Sequence, residues 1–113
     1  MKEIKAVIQP FMLTEVIDAL KEMQGLPGVT VSEVQGFGKG RARSPDPRVA
    51  EHPIGYAKKI KIEIVVPDEL AESVVELIRE KAHTGRVGDG KIFVLPVDEV
   101  YQISGNATGP EAV

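Results

Sequence analysis

The sequence predicts an α+β domain: a ferredoxin-like βαββαβ sandwich, its antiparallel sheet carrying two helices on one face, with a long loop between strands 2 and 3. Three observations predict it. The hydrophobic period switches between 2 and the helical value in the order β–α–β, and does so twice. A pattern-free stretch, KGRARSPDPRVAEHPIG, separates the two halves. Only two amphipathic helices are present for four strands, which is enough to cover one face of the sheet. With 113 residues, 42% of them hydrophobic, the chain reads as one domain over 1–113.

The elements follow in order. In KEIKAVIQ, Ile4, Ala6 and Ile8 alternate with Lys5 and Val7, giving a first strand from Lys2 to Gln9 that Pro10 ends. Leu13, Val16, Ile17 and Leu20 then recur at helical spacing, with Glu15 and Asp18 early and Lys21 late, as the helix dipole favours. Gly25-Leu26-Pro27-Gly28 stops this helix. The β-branched run around Val29, Val31 and Val34 is a second strand leading into Gly36-Phe37-Gly38. KIKIEIVV, Lys59 to Val66, is a third, with Ile60, Ile62 and Ile64 on one face and Lys61 and Glu63 on the other. Pro67 and Asp68 open the second helix, with Asp68 as its N-cap and Gly85 as its C′ residue. Gly88-Asp89-Gly90 is a tight turn into a strand from Lys91 to Leu95, and Val100 to Ile103 forms a short final strand before the polar tail 104–113. The uncovered sheet face carries Val7, Val31 and Val65 among charges. Burying it by self-association in a closed cyclic oligomer suits so small a core.

Composition excludes several classes. There is no cysteine, so disulfide scaffolds, iron–sulfur clusters, thiolate zinc sites and cysteine nucleophiles are out; this fits a reducing compartment. The start of the chain holds charges and no long apolar run, so no signal peptide is expected, and no apolar stretch approaches the roughly 18 residues of a membrane span. Membrane insertion is not expected. The net charge of −3 and the lack of paired sheet aromatics argue against nucleic acid. Charge is unevenly placed: residues 39–59 hold six bases (Lys39, Arg41, Arg43, Arg48, Lys58, Lys59) and two acids (Asp46, Glu51), a net +4 that leaves −7 on the remainder. The loop 39–58 is thus a long basic connection, of a kind that is usually either a binding loop or a disordered linker.

The segment Thr84-Gly85-Arg86-Val87-Gly88-Asp89-Gly90-Lys91 is the leading candidate site. Its three glycines expose backbone amides that can form an anion nest, while Arg86, Lys91 and the Thr84 hydroxyl add donors. That outlines a phosphate site, although the spacing is neither a Walker A loop nor a dinucleotide fingerprint. The bland alternative is a helix cap followed by a turn. Gly36-Phe37-Gly38-Lys39 is a second candidate, where glycines at a strand end permit close ligand approach and Phe37 serves either as core or against a ligand ring. His52 and His83 match no metal-ligand spacing, Ser44-Pro45 is a weak modification signal, and the acidic pairs Asp68–Glu69 and Asp98–Glu99 suit capping and turns better than acid/base work. No catalytic site and no metal site are assigned, and no enzymatic activity is expected.

Across nearly its whole length the sequence resembles the PII signal-transduction family. KEIKAVIQPFMLTEVIDAL resembles the family's first strand and helix, TVSEV with GFG its second strand and loop entry, KIKIEIVV its third strand, and TGRVGDGKIF its most specific segment. The resemblance implies a cytoplasmic homotrimer of ferredoxin-like subunits that binds adenine nucleotide (ATP, ADP or AMP) between subunits. It also implies that the long loop controls a protein target such as a membrane transporter or a metabolic enzyme. It places Gly88 to Lys91 around the phosphates, Arg86, Thr84, Gly85, Val87 and Gly38 nearby with Gly36, Phe37 and Lys39, and Val65 and Ile8 by the base. Four positions depart from the family pattern. Gly40 stands where the family has a Gln that helps hold Mg²⁺ with 2-oxoglutarate, leaving that site without the ligand. His52 stands at the position of the loop tyrosine that is uridylylated in some members. Gln102 and Ser104 replace two phosphate-binding arginines, for which Lys58 offers a partial substitute. These departures imply a divergent member with weakened ATP binding and, as an alternative, a metal-responsive or metal-efflux-associated relative.

Overall fold

The computed structural model describes residues 1–37 and 57–113. Strand β1 (Lys2–Ile8) leads through a 3-10 turn (Pro10–Met12) into helix α1 (Leu13–Glu22). Strands β2 (Thr30–Gly36) and β3 (Ala57–Val66) follow, then helix α2 (Asp68–Ala82), strand β4 (Gly90–Pro96) and a terminal 3-10 turn (Gly109–Ala112). The strands form one antiparallel sheet in the order β2-β3-β1-β4. This is the ferredoxin-like arrangement that the alternating periods predict.

The alternation in β1 and β3 builds the core directly. Ile4, Ala6 and Ile8 lie opposite Ile64, Ile62 and Ile60 in register, so both sets fall on one face. Val16 and Leu20 of α1 and Val74, Ile78 and Ala82 of α2 cover that face, and all eleven are buried. Such alternation fixes which face is wet. The other face carries Glu3, Lys5 and Val7 of β1, Lys61, Glu63 and Val65 of β3, and Phe93 and Leu95 of β4. Lys61 and Glu63 are ion-paired there at 3.4 Å.

Several sequence expectations need correction. Val31 lies opposite Ile62, so it belongs to the helix side of the sheet, not to the open face with Val7 and Val65. It is 42% exposed because β2 is an edge strand beyond the reach of the helices. Asp68 does not cap α2: the N-cap is Pro67, with no side-chain cap bond, and Asp68 Oδ1 accepts a 2.8 Å hydrogen bond from the Met1 amine instead. Helix α2 ends at Ala82 with His83 already extended, so Gly85 lies in the following loop and does not terminate the helix. Gln9 lies just past β1, and β3 starts at Ala57, two residues before Lys59 and inside the segment 39–58. Val100 to Ile103 is not a strand; the segment pairs through a single bridge, Tyr101 with Thr108. The tail 104–113 closes with the Gly109–Ala112 turn, and among the described residues no helix is long and apolar enough to cross a membrane.

Candidate functional site

The segment 84–91 links the end of α2 to the start of β4, and two ties stand out among the described residues. The first is Asp89. Its Oδ2 accepts hydrogen bonds from the backbone amides of Thr84 (2.8 Å) and Gly85 (3.0 Å), and its Oδ1 accepts one from the Thr84 hydroxyl. Thr84 Oγ1 in turn accepts the Arg86 amide at 3.2 Å. Amides of the segment therefore do meet an anion, but the one at the Thr84 and Gly85 end is the chain's own carboxylate. Burial raises the Asp89 pKa, and the donors from Thr84 and Gly85 outweigh it and hold the group below the usual carboxylate range.

The second point is the Gly88 carbonyl, which accepts one bond from Gln9 Nε2 and one from Lys59 Nζ, each 2.6 Å long. Gln9 follows β1 and Lys59 lies in β3, so the loop is anchored across the end of the sheet. Burial lowers the Lys59 pKa against the opposing attraction of Asp89, which places its ammonium in a partly desolvated position. Gln9 is 3% exposed, and its Oε1 has no hydrogen-bond partner among the described residues. Two glycines are required here. Gly88 has φ of 95°, and a Cβ there would meet Gln9 Nε2 at 3.2 Å; Gly90 has φ of 112° and lies against the Val7 backbone.

The other candidates are distributed as follows. Arg86, Val87 and Lys91 are exposed on or beside the loop. Val65 lines a separate open cleft of about 390 Å³ with Thr30, Glu63, Val100 and Val113. Ile8 is 2% exposed and faces the core, so its side chain is not on the open face with Val65; Val7 is. Gly36 ends β2 opposite Ala57, and Phe37 beyond it is 59% exposed. Lys58 is exposed and opposite Gln35; strand alternation turns it to the opposite side from Lys59, away from the loop. Gln102 and Ser104 are exposed near the C-terminus. Gly38 and Lys39, with Gly40, His52 and the loop arginines, lie outside the described residues. Sequence reasoning missed Gln9 and Lys59. For Lys59 a signal existed: the alternation of KIKIEIVV puts it, and not Lys58, on the face of Lys61 and Glu63.

The Asp89 contacts give a pH signature. Between the ordinary carboxylate value of about 3.9 and the lower folded value, the unfolded chain binds the proton and the folded chain does not. The stabilisation from these bonds is thus complete above the unfolded pKa and is lost as pH falls through the folded one. Urea unfolding followed downward from neutral pH is expected to show this loss in the wild type and a shallower slope below about pH 4 in Asp89→Asn. Equal slopes for the two proteins contradict it.

Comparison with known proteins settles the family. The family model described as "Nitrogen regulatory protein P-II" matches residues 1–107. The chain belongs to the P-II family. It is 49% identical to nitrogen regulatory protein P-II of Rhizobium meliloti (strain 1021) and 47% identical to that of Azospirillum brasilense, each over 113 residues and 100% of both chains. Among solved structures, Arabidopsis thaliana PII bound to citrate matches with a TM-score of 0.79 and 37% identity, covering 99% of this chain and 91% of that one. By overall similarity the protein is an ordinary P-II member, not the clearly divergent one that Gly40, His52, Gln102 and Ser104 imply. P-II proteins are non-catalytic regulators that sense nucleotides and act on partner proteins, and this chain is one of them.

Proposed function

We propose that this P-II protein is a cytoplasmic homotrimer that binds adenine nucleotide in clefts between its subunits. The segment 84–91 holds the phosphates, and residues between β2 and β3 convey the bound state to a protein target such as a transporter or a metabolic enzyme. One observation carries the reading: the Gly88 carbonyl is fixed by Gln9 and Lys59, which holds a glycine-rich turn flanked by Arg86 and Lys91 rigidly at the end of the sheet. Preorganised amides and cations bind phosphate without a further ordering cost. The Val65 cleft supports the intersubunit placement. Val65 lies six residues along β3 from Lys59, about 20 Å at the usual strand rise. That exceeds the reach of one nucleotide on one subunit, so the base cleft of one subunit and the phosphate loop of another are the natural pair. Control of a target then works as a population shift, with nucleotide favouring one state of the long loop.

The positions Gln102 and Ser104 supply no guanidinium, so ATP gains less from its extra phosphate and ADP or AMP competes well. Gly40 offers no side chain to Mg²⁺ or 2-oxoglutarate. Calorimetric titration with ATP, ADP and AMP, with and without Mg²⁺ and 2-oxoglutarate, is expected to show adenine nucleotide binding that 2-oxoglutarate leaves unchanged. Arg86→Ala is expected to weaken it about tenfold, or 1.4 kcal/mol. Binding of none of the three nucleotides defeats the reading. A tenfold tightening of ATP by 2-oxoglutarate defeats the part that rests on Gly40.

A further inference from the structure

We propose that Asp89 is a positioning residue: it is the internal anion that shapes segment 84–91 and keeps the remaining amides of the turn available for a phosphate, without itself touching the ligand. The inference rests on the nucleotide reading above and adds to it a division of labour within the segment. A carboxylate inside a phosphate-binding turn is electrostatically unexpected, because it repels the ligand the turn is built to receive. Its hydrogen bonds explain its presence. Among the described residues they run inward, to the Thr84 amide, the Thr84 hydroxyl and the Gly85 amide. The His83 ring adds a cation when protonated, with Nδ1 3.6 Å from Oδ2. The carboxylate closes a ring from residue 84 to residue 89, and the Arg86 amide joins it through Thr84 Oγ1.

Two consequences follow. The Thr84 and Gly85 amides are already spent, so a phosphate is left to the downstream part of the turn, toward Gly88 to Lys91. The turn is also held from both sides: Asp89 ties it to the end of α2, while Gln9 and Lys59 tie the Gly88 carbonyl to β1 and β3. Releasing the first tie removes the anchor to the end of α2.

The test is Asp89→Asn in the full-length protein, read by amide hydrogen exchange and by calorimetry with ADP. The asparagine keeps an acceptor for the Thr84 hydroxyl but turns an N–H donor group toward two backbone donors. Exchange at Thr84 and Gly85 is expected to accelerate about tenfold or more while core amides such as Ile4 and Ile62 keep their protection, and ADP affinity is expected to fall about tenfold. Thr84→Val, which removes only the hydroxyl donor, should give the same pattern in smaller measure and serves if the asparagine variant does not fold. Unchanged exchange at Thr84 and Gly85 overturns the proposal, and so does faster exchange with unchanged affinity. If the wild type binds no ADP, ATP or AMP, the nucleotide reading falls and this assignment with it; equal ADP binding by wild type and variant removes only the role of Asp89.

Discussion

Gly90→Ala is expected to lower the unfolding free energy by about 2–4 kcal/mol. Gly90 has φ of 112°, a region that side-chain-bearing residues rarely enter, so the substitution is strained before any neighbour is considered. The neighbour makes it worse. A Cβ built there falls 1.7 Å from the Val7 carbonyl oxygen and 2.8 Å from its carbon. Those atoms are backbone in β1, which pairs with β3 on one side and β4 on the other, so they cannot rotate aside as a flexible side chain would. Relief requires β4 to move away from β1 at its first pair, Ile8 with Gly90, which also disturbs the turn that Asp89, Gln9 and Lys59 hold. Gly36→Ala is the control, because its φ is not positive and a Cβ there meets nothing within 4 Å among the described residues. Urea denaturation of the two variants at equal protein concentration compares them directly. A loss at Gly90 no larger than that at Gly36 contradicts the account.

The same contrast marks how much of this protein is legible in its sequence. Where structure follows from short-range periodicity, it reads plainly: Ile60, Ile62 and Ile64 alternate with polar residues, and Val74 and Ile78 stand one helical turn apart. On an edge strand, alternation fixes the period but not which face is buried. In β2 the helices reach neither set of side chains well, so only pairing with Ile62 places Val31 on the helix side. The candidate site divides in the same way. The glycine spacing of 84–91 announces backbone amides, and those of Thr84 and Gly85 meet a carboxylate. That Asp89 would answer two of them is a matter of how a short turn folds back, and residue types alone leave open whether an aspartate there is solvated or internal. Gln9 and Lys59 reach Gly88 from 79 and 29 residues away in sequence, where no local pattern operates. Asp68 is the opposite failure: the local capping rule is sound, but a distant amine outcompetes the helix for its carboxylate.

Ile62→Ala is expected to cost about 2–5 kcal/mol, the range of a large-to-small change that leaves a cavity in a well-packed core. Ile62 is 0% exposed at the middle of β3, opposite Ala6 of β1 on one side and Val31 of β2 on the other. Ala6 is already small and cannot extend into the void, and backbone hydrogen bonds to both neighbouring strands keep the sheet from closing on it. Ile62→Val, which removes one methylene, should cost about 0.5–1.5 kcal/mol. Val31→Ala, directly across the ladder and on the same face, should cost about 0.5–1 kcal/mol because its side chain is only partly withdrawn from water. Ile62→Ala and Val31→Ala share strand environment and differ mainly in burial, so their order in chemical denaturation reads the burial gradient from the centre of the sheet to its edge, while Ile62→Val scales the loss with the volume removed. If Val31→Ala destabilises as strongly as Ile62→Ala, the edge of the helix-side face is as deeply packed as its centre, and β2 is not an exposed edge.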